Sequence, residues 1–147
     1  LDNGYYAAEE STESSLPFII EQSQLEWLDN QLKTSTSDVE ILFMHIPLPH
    51  GKFLESQSIF SSSTRFNNLL SVLEKNSSTR LIFAGHEHIN AINHYIFPNG
   101  NKLTQIITDA FGRDQDNWRM IKITNEDVII YFPGSYKIEY VIPLKQK

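Results

Sequence analysis

Apolar positions recur at helical spacing in two stretches of this chain and cluster in short strand-like runs elsewhere. In "SQLEWLDNQLK" (23–33), Leu25, Leu28 and Leu32 fall on one helical face. Ser23 followed by Glu26 reads as a capping box, and Trp27 is expected at the edge of the buried face. "VEILFM" (39–44) is short, apolar and unbroken, which suits a buried strand; it stops at His45, ahead of Pro47 and Pro49. "STRFNNLLSVLEK" (63–75) returns to the helical period with Phe66, Leu69, Leu70 and Leu73 inward, and "RLIFA" (80–84) is a second buried strand. Strand, loop, helix, strand is a crossover unit, so the two apolar strands are expected to lie parallel in one sheet with their C-terminal ends on the same rim.

Past residue 90 the pattern becomes strand-like throughout. "NAINHYIF" and "KLTQIIT" flank Pro98-Asn99-Gly100-Asn101, whose Asn-Gly predicts a hairpin. "WRMIKI", "DVIIYF" and "YKIEYVIPL" are further strands, separated by the turn-like "TNED" and "PGSY". The chain is therefore expected to be α/β over 1–90 and antiparallel and β-rich over 91–147, a mixed architecture.

Composition narrows what this framework is for. At 147 residues, 40% hydrophobic and 20% charged, the chain is long enough to bury a real core. A net charge of -6 and a pI near 5.3 argue against nucleic-acid binding, because no basic stripe is available to replace counterions along a phosphate backbone. Without cysteine there is no disulfide framework, thiolate zinc site or thiol nucleophile, and the compartment stays open. No apolar run reaches the length of a bilayer span, so no membrane role is expected. The chain opens on "LDNGYY" without an initiator Met, from which residue 1 is expected not to be the start of the gene product.

The chemistry gathers on the shared rim. Imidazole is the commonest protein metal ligand and is neutral enough to bind at pH 7. His86 and His88, in "RLIFAGHEHIN", would point to one side if the segment is extended, with Gly85 supplying a sharp turn and His45 arriving from the neighbouring strand. The plainer reading is that these are rim or core histidines of an ordinary α/β domain. Glu87 would point away from its neighbours in an extended segment. His94 is expected to be structural and Arg113, in "FGRDQDN", to sit in a turn. His50, in "PLPHGKF", is placed to touch a substrate phosphate, against the plainer reading of a solvated loop histidine. Asn76-Ser77-Ser78 matches a glycosylation acceptor.

"GHEH" resembles the Gly-His-x-His motif of the calcineurin-like metallophosphoesterases, and "FMHIPLP" resembles the apolar strand and histidine that precede it there. "LDNGYY … QLEWLDNQL" is similar to a strand ending in Asp followed by a Gln-Leu-x-Trp-Leu helix, and the wording is nearest the branch allied to purple acid phosphatases. The resemblance runs from Leu1 to Asn90; beyond that it rests on strand pattern. It implies the C-terminal half of a four-layer αββα sandwich, spanning 1–147, and a metal-dependent phosphoric ester hydrolase with a dinuclear centre. His45 and His86 would bind one ion and His88 the other, with two divalent or trivalent ions (manganese, iron or zinc) in the parent and none or one in this piece. In such centres two ions about 3.5 to 4 Å apart hold and polarise the phosphoryl group.

The family's Asp-x-His, Gly-Asp-x-x-Asp and Gly-Asn-His segments are absent, and only Asp2, Asp29 and Asp38 precede His45. Three neutral histidines lack the charge and bridging oxygen that hold two dications. The expected partners are therefore the N-terminal half of the same domain and a phosphate-ester substrate, with dimerisation through an exposed sheet edge. The piece alone is expected to be inactive. The alternative is a non-catalytic scaffold or protein-interaction domain of the same superfamily.

Overall fold

The computed structural model describes residues 1, 5–6, 18–37, 39–48 and 64–144. A two-residue pairing of β1 (Tyr5–Tyr6) with β2 (Phe18–Ile19) precedes helix α1 (Gln22–Thr34), which buries Leu25, Leu28 and Leu32. Two details depart from the sequence reading. Glu21 occupies the N-cap and makes no side-chain capping bond, so Ser23 lies inside the helix and the capping box is not used. Trp27 is 57% exposed, because two residues carry it roughly 200° round the helix from Leu25. Lys33 pairs with Asp29 one turn back, at the margin of the buried face, and this holds the Asp29 carboxyl below its usual range.

Strand β3 (Glu40–Phe43), helix α2 (Thr64–Lys75) and strand β4 (Thr79–Ala84) follow. As the crossover pattern predicts, β3 and β4 are parallel, with Ile41 opposite Leu81 and Phe43 opposite Phe83. Leu69, Leu70 and Leu73 of α2 are buried; Phe66 has no described side chain. Asn76 ends this helix with its side chain buried, its Nδ2 donating to Val72 O at 2.7 Å. The apparent glycosylation acceptor is thus a helix terminator, closed to an oligosaccharide transferase in the folded chain.

The hairpin of β5 (Ala91–Ile96) and β6 (Lys102–Ile107) forms as expected, Phe97 accepting from the Gly100 N–H and donating to Asn101 O, both at 2.8 Å. Gly100 sits at φ 87, the left-handed position that closes a three-residue loop. The side chains of Asn99 and Asn101 each donate to Glu74 O at 2.7 Å, tying the loop to the end of α2. The tail is not wholly antiparallel, however. β6 pairs antiparallel with β5 on one side and parallel with β4 on the other, giving one four-stranded sheet in the order β3-β4-β6-β5. Strands β7 (Ile121–Ile123), β8 (Asp127–Tyr131) and β9 (Ile138–Pro143) make a separate antiparallel sheet.

Among the described residues the layers are helix, mixed sheet and antiparallel sheet. Leu81, Phe83 and Ile106 face Val128 and Ile130 across the two sheets, while Ile82, Ala84, Tyr95 and Leu103 face the helices. Coverage on both sides explains why β4 reads as an unbroken apolar run and why β6 is buried from Leu103 to Ile107, polar Thr104 and Gln105 included, whereas β8 alternates buried and half-buried positions. At the far turn, Gly134 has φ 61 and a methyl group there would lie 2.6 Å from the Asp116 Cβ, so that turn needs glycine.

Candidate functional site

The parallel ladder between β3 and β4 continues past both strands. Met44 N–H donates to Phe83 O at 3.0 Å, and Gly85 N–H donates to His45 O at 3.0 Å. The two rim segments are therefore locked in register where their side chains turn to solvent. His86 then sits at the centre of a three-residue turn: Glu87 N–H donates to Gly85 O at 2.7 Å while His86 takes φ 64. This is the rare, strained hand of the γ-turn. His88 is also left-handed, at φ 54. Such backbone costs on the order of 1–2 kcal/mol for a side chain with a Cβ and tends to persist where a site requires it.

The extended segment expected from the sequence is thus replaced by one tight turn followed by a second left-handed residue, and the alternation argument for His86 and His88 fails with it. Gly85 is not the bent residue either. Its φ is not positive, and an added Cβ would stand 4.0 Å from His45 O, an ordinary contact. The histidines themselves carry the turn.

What the turn achieves is a meeting of His86 with His45. Nδ1 of His86 lies 3.1 Å from Nε2 of His45, with ring centroids 5.0 Å apart and planes at 78°. Two nitrogens bound to one ion at about 2.1 Å would be this far apart at an angle of about 95°, within reach of tetrahedral or octahedral coordination. The donor type suits zinc or a comparable transition ion. Among the described residues no group of three His, Cys, Asp or Glu side chains forms a metal site, so His45, His86 and the exposed His88 do not together make a three-ligand site. The residues therefore fit part of the coordination shell of one ion and require further donors. His50 lies outside the described residues.

The remaining candidates resolve simply. His94 Nδ1 is 3.1 Å from Thr104 Oγ1 and its ring rests on Tyr140, a structural role as expected. Arg113 is exposed in a turn closed by its own N–H on Ala110 O at 3.0 Å. Glu87 is exposed beside the histidines. A cavity of about 860 Å³ opens between Arg80, His94, Lys102 and Tyr140, but at the opposite end of β4 and β6 from the histidine rim. Nearer the rim, the Arg119 side chain is 2% exposed, pairs with Glu139 and donates to Tyr131 O at 3.0 Å; burial pulls its guanidinium below its ordinary pKa.

Gln105 and Tyr95 escaped the sequence reading. Gln105 is fully buried in β6, with Oε1 accepting from Leu48 N–H at 2.6 Å and Nε2 donating to Leu48 O at 3.1 Å and to Tyr95 Oη at 3.0 Å. Tyr95 Oη in turn donates to Leu48 O at 3.4 Å. Burial, assisted by the charge of Glu87, pushes the Tyr95 phenol well above its usual pKa and so keeps that proton in place. The available signal was one amide side chain inside the apolar run "LTQII".

No protein-family model matches the chain. It is 27% identical over 117 residues to the serine/threonine-protein phosphatase CPPED1 of Mus musculus, covering 75% of this chain and 36% of that protein. The Rattus norvegicus counterpart is 26% identical over the same length. Among solved structures, a dimetal phosphatase from Danio rerio superposes with a TM-score of 0.61 at 18% identity, over 86% of this chain and 39% of that one. The chain thus spans little more than a third of the length of these relatives.

Proposed function

We propose that this chain, which is similar in sequence to the rodent phosphatases and in fold to the Danio rerio dimetal phosphatase, is a calcineurin-like metallophosphoesterase that contributes the histidine arm of a metal-dependent phosphoric ester hydrolase. The observation that carries the reading is the pair of imidazole nitrogens 3.1 Å apart, delivered from the ends of adjacent parallel strands. In this reading His45 Nε2 and His86 Nδ1 hold one ion and His88 serves a second. The carboxylate donors that complete two shells come from outside the described residues, and His50 likewise lies outside them. When bound, paired manganese, iron or zinc ions position and polarise the phosphoryl group and supply hydroxide from water. The work of this chain is to orient two imidazoles so that little reorganisation is needed when the ion arrives.

Two measurements test it. Zinc added to the labelled chain is expected to perturb the His45 and His86 rings together and to do so no longer in His86→Ala; rings indifferent to zinc would refute the ligand assignment. The purified chain with manganese or zinc is expected to turn over no phosphate ester, since its described residues gather no carboxylate with the histidines. Turnover by this chain would refute that division of donors. Absence of hydrolysis by any longer protein carrying the chain would favour the non-catalytic scaffold.

A further inference from the structure

We infer that Gln105 is a positioning residue for the histidine pair, acting through the backbone of Leu48; this rests on the metal-centre reading above. The path of the chain after β3 carries the argument. The ladder to β4 reaches His45 O, and three residues later Leu48 is bonded to Gln105 on β6 and, through Tyr95, to β5. The segment therefore leaves β3 and crosses the helix-facing side of the sheet, where Met44, Ile46 and Leu48 are all buried. Pro47 and Pro49 have no N–H, so Leu48 offers the one backbone donor across these three positions.

Gln105 meets that donor and the carbonyl of the same residue with a single planar amide, as a neighbouring strand would. A buried primary amide is costly unless its groups are bonded, and here the oxygen and the nitrogen both are. An apolar side chain would pack in this core without that requirement. What the amide adds is a fixed exit for the chain three residues beyond His45, and hence a fixed approach of its ring to His86. Polar partners that orient ligands without touching the ion commonly change metal affinity by about 10–100-fold when removed.

The test compares Gln105→Met, Gln105→Glu and Tyr95→Phe with the parent chain. Two readouts need no metal: hydrogen exchange of the Leu48 amide, and the nuclear Overhauser contact between the His45 and His86 rings. The contact of His94 with Tyr140 reports that the fold is intact. Loss of Leu48 protection by about tenfold or more is expected in Gln105→Met, with the ring contact weakening in step across the set. Zinc affinity is expected to fall by about tenfold in the same variant. A folded variant that frees the Leu48 amide and leaves the ring contact intact overturns the inference, as does a set in which no change at Gln105 frees that amide. If the parent chain takes up no zinc, the metal-centre reading fails by itself, and the two metal-free readouts still decide the role of Gln105.

Discussion

Replacing Tyr95 with phenylalanine removes one hydroxyl from the network that holds Leu48, and the size and sign of its effect should depend on pH. At neutral pH the hydroxyl accepts from Gln105 at 3.0 Å and donates to Leu48 O at 3.4 Å. Gln105 Nε2 keeps its bond to Leu48 O in the variant while its second N–H loses its acceptor, and the cost at about pH 8 should be about 1 kcal/mol, the low end for a buried donor left unpaired. The phenol is pushed above its ordinary pKa of 10.0, first by burial and then by Glu87. A group whose pKa is raised on folding gives stability that is fully present below its unfolded pKa and lost as pH rises beyond it. At about pH 11 the unfolded tyrosine is roughly 90% ionised while the folded one stays neutral, which costs the parent about 1.4 kcal/mol. The order of stability should therefore reverse, the variant becoming more stable by about 0.4 kcal/mol at about pH 11. Urea denaturation of both chains at the two pH values, at one ionic strength, measures this directly. The other tyrosines are common to both chains and cancel in the difference. A parent-minus-variant difference that does not change with pH would show the phenol to be solvated in the folded chain and would remove it from the network.

Two further predictions concern the strained turn. His86→Gly relieves a left-handed residue and is expected to stabilise the chain by about 1 kcal/mol while abolishing zinc binding; destabilisation in thermal melts would contradict the claim of strain. Gly85→Ala is expected to change stability by less than about 1 kcal/mol, because its φ is not positive and the nearest atom to a new Cβ is at 4.0 Å. A large loss would mean that Gly85, as the sequence alone suggested, is the residue that lets the chain turn.

Much of the fold was legible because burial leaves a periodic trace. Leu25, Leu28 and Leu32 marked one helix face, and the unbroken "RLIFA" marked a strand covered on both sides. The antiparallel tail was only half legible. "KLTQIIT" shows no sign that its partners are antiparallel on one side and parallel on the other, because side-chain pattern reports burial and is silent on strand direction. Ser23 and Trp27 were misread for a related reason. A capping signature is a local preference, and the entry of the chain at Glu21 displaced it by two residues.

For the site, the sequence by itself determined which donors exist: three imidazoles within two short motifs, no cysteine, and no carboxylate motif ahead of them. Chain chemistry is a property of residue type and order, so those facts need no coordinates. Only the tertiary structure decided that His45 and His86 meet without His88 completing a three-ligand site among the described residues, that the bend lies at the histidines rather than at Gly85, and that a buried glutamine holds the chain beyond His45. Each of these depends on backbone direction and on contacts between residues 41 to 57 positions apart, and no local pattern encodes either.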